Sequence, residues 1–588
     1  MDFTLATRRL SAGTYLDSDF CQRVLLDAYA DRSRYVAPSY GFDLAQVTFH
    51  ARRSWWLDTT QHVLVASVVA VGLLRSPLAL VVAGGVLMTW HLALTLGRLC
   101  GGIARYFREG PSIDRLSDFR LRLRLVLVEF TVAWSVLIVS AVVALGYESV
   151  ASIWGNGPVA ASVLDAIRQA SFDLAAVALV VFLIAIVRQL LLGHMLQSGA
   201  LTDDHLNNRM RCIAEQERSR VTYYADYRPF IGSGEELSTW NLNLRLLKKP
   251  DSAAGDDPGI PVAKRELDKI EFTTRKLTRK MKEQLHKLHA DDNPEAELPG
   301  LNIADRVFVV GSEARSVPAE EQDAIHVART NPTGPARHYL SCRVEAWDGE
   351  VVTNVFVHIS LQGRVLYVEF SAWALLPTRP DFHIPDSGRA LWRHVHSAGI
   401  LRRLCYLPQE VRRVLPGLGT VAVFVARRLP AFWRHGPSRY ARDPGTRFSV
   451  REDGSVSRYV AHIAALPATM LVAPSQRDVL LIEEADPQAE RNALKALKDA
   501  ERLSRQAAKA VNYFQVRDVI RHWRIIERRV LAALLDFLEE EGLDTGDYHS
   551  QASQIITTNF NFFAGPVDAR GSVFGSGTME TSSGGTRS

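Results

Sequence analysis

The chain has 588 residues, a formal net charge of +5 and five cysteines that lie far apart. The length exceeds what one compact domain usually holds, and so weak a positive balance does not define a class of partner. Because no two cysteines form a C-x-x-C pair, the sequence signals neither a thiolate zinc site nor a redox pair, and it fits a reducing compartment.

Residues 1–55 are expected to be a cytoplasmic segment rather than a secretion signal. Arg8-Arg9 resembles the start of a twin-arginine signal, but no apolar run follows it for about fifty residues. The segment is polar and is interrupted by Gly, Asp and Pro, so we do not expect it to cross a membrane.

Four apolar runs follow, and each is a candidate membrane-spanning helix. They are Gln61–Leu74, Leu78–Gly97, Leu125–Gly146 and Leu174–His194. A helix needs about 20 apolar residues to span a bilayer, which the last three runs supply. The first run is short, but Trp55-Trp56-Leu57 extends it and provides an aromatic anchor at the interface.

The distribution of arginine decides whether Arg75-Ser76-Pro77 is a kink in one helix or a turn between two. Residues 1–55 carry seven Arg and the loop 98–124 carries seven more, whereas the loop 147–173 carries only Arg168. Because positive loops stay in the cytoplasm, four crossings place both Arg-rich segments inside. The pattern predicts two helical hairpins with both chain ends in the cytoplasm.

The region after the last crossing reads as a mixture of strands and helices. Alternating apolar residues predict a series of strands, and Asp348-Gly349 is a strong hairpin signal between two of them. The predicted strands are Thr222–Tyr227, Trp240–Leu246, Arg306–Val310, Tyr339–Trp347, Val351–Leu361 and Val365–Leu376. Predicted helices are Lys264–His289, Ala489–Ala510 and Asp518–Gly542.

We therefore expect a membrane α-helical protein with four transmembrane helices as two hairpins, plus a large cytoplasmic α+β region with an antiparallel meander sheet and C-terminal helices. The expected segments are 1–55 (N-terminal), 56–98 (hairpin 1), 99–124 (basic loop), 125–196 (hairpin 2), 197–377 (α+β domain), 378–442 (Arg/Trp-rich segment), 443–558 (helical region) and 559–588 (flexible Gly/Ser-rich tail).

The segment 378–442 combines positive charge with aromatic residues. Between Arg389 and Arg442 it holds eleven Arg and one acid, Glu410. This composition favours a segment that lies on the anionic inner leaflet of a membrane, although a nucleic-acid patch and a solvated helix pair have similar composition. The residues expected to contact anionic lipids are Arg402, Arg403, Arg412, Arg413, Arg427, Arg428, Trp392 and Trp433.

The stretch Gly232-Ser233-Gly234 raises the question of a phosphate-binding loop. Glu235 and Glu236 follow directly and would repel a phosphate, and no Lys stands within the next five residues, so the P-loop pattern fails. We interpret the stretch as a loop between two strands whose glycines adopt positive φ. No other catalytic motif occurs. His286 and His289 have no carboxylate or Cys partner, and His394 and His396 are two apart in a predicted helix and so point to different faces; we therefore expect no catalytic, cofactor or metal site.

Two opposite charges fall at similar depths in the third and fourth crossings. Glu129 is the fifth residue of the third run, and Arg188 lies near the cytoplasmic end of the fourth. Because the two helices are expected to be neighbours, the sequence predicts that Glu129 and Arg188 form an intramembrane ion pair with a structural role. Snorkelling of each side chain to the interface is the alternative.

Several stretches together resemble a family of uncharacterised actinobacterial multi-pass membrane proteins. They are APSYGFD at 37–43, RPFIGSG at 228–234, GPARHYL at 334–340, and YFQ at 513–515 leading to IERRV at 526–530. The resemblance implies a shared architecture over most of the chain and places the protein in a bacterial plasma membrane. It implies no activity and no site residue.

Three functions remain open on the sequence. The first is a non-enzymatic scaffold, sensor or regulator that presents a cytoplasmic domain at the membrane surface, with anionic lipids and a cytoplasmic protein as partners. The second is a transporter or channel component, against which the outer halves of the runs contain almost no polar groups. The third is a membrane-associated enzyme without a recognisable motif. Nucleic acid is an unfavoured partner, and a homo-oligomer is possible.

Overall fold

The computed structural model describes residues 4–109, 159–197, 206–249, 272–289, 297–384, 398–428, 444–455 and 512–564, except for positions 33 and 226, together with isolated positions between 130 and 146. Within these ranges the chain forms an N-terminal helical group, three long apolar helices, one six-stranded sheet and the helices that cover it.

The N-terminal segment is folded. It contains α1 (Leu5–Leu16), α2 (Ser18–Arg23) and a π-helical stretch (Val24–Ala30). The side chain of Asp17 caps α2 by accepting hydrogen bonds from the amides of Asp19 and Phe20. The segment buries apolar side chains, Leu10 and Phe20 among them, and so it belongs to the protein core rather than to a polar arm.

Three described helices are long and apolar enough to cross a membrane, at Leu44–Arg75, Pro77–Gly97 and Leu164–Leu196. They lie within α3 (Leu44–Arg75), α4 (Pro77–Glu109) and α5 (Val159–Gln197). The chain is extended at Ser76, with φ −155° and ψ 105°, so α3 and α4 are two helices rather than one kinked helix. Pro77, which has no amide hydrogen to offer, occupies the first position of α4.

The predicted third crossing at Leu125–Gly146 lies almost entirely outside the described residues. Four crossings, their arrangement as two hairpins and the orientation of the chain ends therefore stay predictions. The described spans pack closely through small side chains, because Ala79 and Ala83 of α4 and Ala166 and Ala170 of α5 are buried in one cluster. We call the end of the spans near Asp43 and Gln197 the domain side.

The six strands predicted from the sequence are confirmed, and they form one sheet in the order β1-β3-β4-β5-β6-β2. After α6 (Asn208–Arg218), the strands are β1 (Val221–Tyr224), β2 (Glu235–Arg245), β3 (Leu301–Val310), β4 (Ala336–Ala346), β5 (Val351–Gln362) and β6 (Val365–Leu375). The β1–β3 pair is parallel, and the other pairs are antiparallel. The predicted meander is the consecutive β4-β5-β6 unit.

Both faces of the sheet are covered. On one face, α7 (Thr274–His286) and α13 (Tyr513–Glu540) pack against β5, with Trp523 fully buried. On the other face, five aromatic side chains form a cluster: Phe230, Phe308, Tyr339, Phe356 and Trp373. On β5, Phe356 shares this face with the polar residues Asn354, His358 and Ser360, which are also buried.

Four further helices connect the sheet to the spans and to the N-terminal group. They are α9 (Ala398–Cys405), α10 (Leu407–Arg412), α11 (Val414–Arg428) and α12 (Val450–Asp453). Two other helices pack on the sheet: α8 (Glu321–Thr330) lies beside β3 and β4, and α14 (Gly546–Ala564) lies beside β2. The last helix ends at Ala564, beyond the predicted start of the tail. The predicted helix Ala489–Ala510 lies outside the described residues.

A candidate anion site between the membrane spans and the domain

The Gly232-Ser233-Gly234 loop does bind an anion, and that anion is part of the chain. Gly232 and Gly234 have φ values of 92° and 91°, as expected for glycines in the loop that precedes β2. Their amides point to one place and donate hydrogen bonds to Oε1 of Glu452, at 2.9 and 3.0 Å. Successive amides that converge in this way form an anion-binding nest, and the Glu452 carboxylate fills it.

Glu452 is held in the nest by the residues on either side of it in the chain. Arg451 is fully buried and donates from Nη2 to the carbonyl oxygens of Gly349 and Glu350, at 3.1 and 2.7 Å. Asp453 forms an ion pair with Arg23 of α2 at 2.8 Å. The stretch 444–455 therefore fastens the N-terminal helices to the sheet, and we call it the strap.

The nest also brings together two carboxyl groups with raised pKa values, Glu452 and Glu235. Burial raises the pKa of Glu452 to about 6, although the two amides partly oppose this rise. Burial and the neighbouring Glu452 raise the pKa of Glu235 to about 7. Both groups favour the protonated form more than an exposed carboxyl group does.

The helices α9, α10 and α11, which belong to the predicted membrane-surface segment, pack directly on the spans. Leu407 and Val414 share a buried cluster with Val65 of α3 and with Val177 and Val181 of α5. Val65 is ten positions from the end of α3 at Arg75, about 15 Å along the helix, so this contact lies well inside the apolar part of the spans.

Close contact between α11 and α3 depends on a glycine and two aromatic rings. A Cβ atom at Gly417 would overlap the imidazole ring of His62. Further along α11, the ring of Phe424 lies 4.3 Å from that of Trp55. The structure therefore shows protein contacts for this segment, and its predicted contact with anionic lipid stays a prediction. The side chains of Arg402, Arg427, Arg428, Trp392 and Trp433 are outside what is described.

A polar cavity of about 490 Å³ lies where α9 and α10 meet α1 and α5. Three of its lining residues are arginines, and only one is acidic. The lining consists of Tyr15, Leu16, Arg188, Gln189, Leu192, Arg403, Tyr406, Gln409, Glu410 and Arg413. Of the eight arginines and tryptophans predicted to contact lipid, Arg403 and Arg413 line this cavity.

Glu410 is the only carboxylate in the lining, and three side chains share it. Gln61 of α3 donates a hydrogen bond from Nε2 to Oε2 at 3.0 Å. Arg413 and Arg403 approach at 3.6 and 3.9 Å, distances that are too long for hydrogen bonds. Glu410 therefore balances the two guanidinium groups only in part.

Arg188 is 3% exposed and forms the deepest wall of the cavity. Its Nη1 donates to the carbonyl oxygen of Tyr15 at 3.1 Å, and its Nη2 forms an ion pair with Asp58 of α3. The Nε atom is buried and has no hydrogen-bond partner among the described residues. Glu129 lies outside those residues, so its pairing with Arg188 stays a prediction; the partner that the structure gives is Asp58, which the sequence reasoning did not consider.

The charges of the cavity do not cancel. Three arginines face one another across a space in which Glu410 and Asp58 supply two negative charges. Repulsion from Arg188, together with burial, lowers the pKa of Arg403 to about 10. A bound anion would relieve this repulsion and would take up guanidinium N–H groups that now lack good acceptors.

The cavity lies near one boundary of the membrane. Asp58 is 17 positions before the end of α3 at Arg75, about 26 Å along the helix, and the hydrocarbon core of a bilayer is about 30 Å thick. The ion pair of Asp58 with Arg188 is thus near the domain-side boundary. On the other side of α10, an apolar groove of about 320 Å³ is lined by α4 residues, by Pro408 and Val411, and by Arg412 at its polar end.

A second polar cluster lies on the sheet and is structural. Asp305 of β3 accepts a hydrogen bond from His338 of β4 at 3.0 Å and one from Arg329 of α8 at 2.5 Å. Burial alone would raise the pKa of Asp305, but these partners and Lys282 hold it well below its usual range. The described residues contain no group of three side chains suited to a metal ion.

The apolar helices and the sheet together indicate a membrane protein with an attached α/β region. A family model, the AbeC-like domain, matches residues 239–482 and 461–580, which together span more than half of the chain. The chain therefore belongs to the AbeC-like domain family. No curated protein and no solved structure matches it. The matched region contains β3 to β6, the helices α9 to α11 and the strap.

Proposed function

We propose that this protein is a multi-pass inner-membrane sensor or scaffold, whose AbeC-like domain reports the state of the membrane spans to a cytoplasmic partner. One observation carries the proposal: helices α10 and α11, from within the matched family region, share a buried apolar cluster with the spans α3 and α5. A domain that only needed an anchor would not require such extensive contact.

The strap provides a route from the spans to the sheet. It follows α11 in the chain, contacts the N-terminal helices through Arg23, and inserts Glu452 into the loop that begins β2. Phe424 of α11 and Val450 of the strap lie in one buried cluster with the N-terminal helices, so a displacement of α11 relative to α3 would disturb packing that the strap shares. We infer that these elements move as one unit, which is the property that a sensor needs.

A conduction path is the weaker alternative. Toward the side opposite the domain, α4 and α5 close on each other through the cluster of Leu78, Ala79, Ala83, Ala166 and Ala170, which has no polar side chain. Ion or solute passage requires polar lining or a wet cavity along the whole path. The polar cavity is lined by residues of α1, α5, α9 and α10, and none of the residues of this apolar cluster lines it.

The proposal is tested by capturing partners from native membranes. The tagged full-length protein is purified in mild detergent and its partners are identified by mass spectrometry, next to the Gly417→Leu variant, in which α11 is forced away from α3. We expect a reproducible cytoplasmic protein that the variant retains less well. No enriched protein with the wild type, or ion flux through the purified protein in liposomes, would contradict the proposal.

A further inference from the structure

We propose that the cavity at Arg188, Arg403 and Arg413 is a binding site for a phosphate group. The inference rests on the proposed function in one respect, since it supplies the ligand that a membrane sensor would detect. The shared chemistry is a phosphate monoester or diester, and its two possible sources are a phospholipid headgroup and a soluble phosphate.

The first argument is the number and the type of donors. Guanidinium groups are the side chains best suited to phosphate oxygens, because each offers a planar set of N–H donors. Three of them line one cavity, and those of Arg403 and Arg413 reach Glu410 only at 3.9 and 3.6 Å. Their donors are thus placed around a space and are not used up by the carboxylate.

The second argument is the unused donor of Arg188. Its side chain is almost completely buried, two of its nitrogens are engaged by Tyr15 and Asp58, and Nε has no partner among the described residues. A buried N–H without an acceptor is unfavourable, so such groups in native proteins usually meet a ligand, a water molecule or an ion.

The third argument is size and position. A volume of about 490 Å³ accommodates a phosphorylated headgroup, whereas a bare chloride ion would fill little of it. The cavity lies toward the domain-side end of the spans, and its lining reaches the surface at Leu16 and Arg413, which are 44% and 59% exposed. The apolar groove on the other side of α10 is a further reason to test a phospholipid as the source of the phosphate.

The test uses the purified full-length protein and measures its thermal midpoint and its affinity for the probe. In one arm the protein in lipid-depleted detergent is titrated with inorganic phosphate, with chloride as the control anion. In the other arm the protein is placed in nanodiscs of phosphatidylcholine with increasing phosphatidylglycerol. Stabilisation in the first arm identifies soluble phosphate as sufficient, and stabilisation confined to the second identifies the lipid.

Three substitutions make the test specific to the cavity. Arg403→Gln should weaken binding by about tenfold or more, because it removes a charge-assisted contact. Arg412→Gln, which removes the same charge on the opposite side of α10, is the matched control and should leave binding within about twofold. Glu410→Gln should strengthen binding, since it removes the carboxylate that competes with the ligand.

The result that overturns the inference is equal weakening by Arg403→Gln and Arg412→Gln, which would mean general attraction to a basic surface. A lack of stabilisation by phosphate and by phosphatidylglycerol in wild-type protein would also overturn it. Because these measurements use no partner protein, they separate the two proposals: phosphate can bind even if no partner is captured, and a partner can be captured without phosphate binding.

Discussion

Arg188 and Asp58, which are 130 positions apart in the chain, form an ion pair that joins α5 to α3. Removal of one partner leaves a charge in a buried place, whereas removal of both leaves neutral groups, so the two substitutions should not be additive. We expect Arg188→Gln and Asp58→Asn each to lower the thermal midpoint in detergent. The free energy of unfolding lost by the double variant should be smaller than the sum of the two single losses by about 1–3 kcal/mol.

The same cycle with Glu129→Gln tests the pairing that was predicted from the sequence. If Glu129 also contacts Arg188, its substitution will couple to Arg188→Gln as well. If the stability losses of Arg188→Gln and Asp58→Asn are additive in chemical or thermal unfolding, that result would contradict the ion pair that the structure shows.

The packing of α11 on α3 can be tested with two glycines in one helix. Gly417→Ala should destabilise the protein by about 1–3 kcal/mol, because the added methyl group meets the ring of His62. Gly419 has nothing within 4 Å of its Cβ position, so Gly419→Ala should be neutral or stabilise by up to about 1 kcal/mol through helix propensity. Thermal midpoints of the two variants in the same detergent give the comparison, and equal effects would contradict the contact.

The nest at Glu452 should make stability depend on pH. Its pKa is raised from 4.5 to about 6, so its contribution to stability is fully present below pH 4.5 and is lost as the pH rises through 6. The loss amounts to about 2 kcal/mol for this group. Glu452→Gln stays neutral and keeps an acceptor oxygen. The thermal midpoint of this variant, relative to that of the wild type, should therefore rise between pH 5 and pH 7.5.

Glu452→Ala is the control for that series. It leaves the amides of Gly232 and Gly234 without their acceptor and should be about 1–3 kcal/mol less stable than Glu452→Gln at every pH, since neither variant titrates at this position. Parallel pH curves for the wild type and the Gln variant would show that the carboxyl group does not titrate in this range.

The geometry of the glycine loop predicts a severe effect at Gly234. Alanine there would combine a φ of 91° with overlap of its Cβ atom and the carbonyl oxygen of Ala374, and we expect little folded protein. Gly300 has a similar φ of 86° but open space around it, so Gly300→Ala should cost about 1–2 kcal/mol. Yields of folded protein by size-exclusion chromatography distinguish the two, and a well-folded Gly234→Ala variant would contradict the close approach.

Local patterns predicted much of the fold. Six strands were predicted at positions that overlap the observed ones, although β2 and β3 each begin five residues earlier than predicted, and Asp348-Gly349 marks the turn between β4 and β5, where both residues have positive φ. The first span begins at Leu44 rather than near Trp55, because Asp43 caps the helix through the amide of Gln46 and the polar residues that follow are buried against the N-terminal helices. Such burial depends on partners that are distant in the chain.

The candidate site was far less visible in the sequence, since its parts come from four separate stretches. Arg188 and the arginines near position 403 were recognised, but as a pair with Glu129 and as lipid contacts. Nothing local links them to Tyr15 or to Glu410. Likewise, the glycine loop was correctly read as a turn between strands, yet its anion is 218 positions away from Gly234, where no spacing rule applies.

The edge strand β1 has a consequence for how the protein can be divided. The family match begins at residue 239, after β1 and after both glycines of the nest. A fragment cut there would expose the edge of β3 along the register from Val307 to Val310, and unpaired edges recruit strands from other molecules. It would also leave Glu452 without its amides. The region that is recognisable as a family domain is thus smaller than the unit that can fold, and self-association of an isolated fragment would reflect that cut and not the oligomeric state of the whole protein.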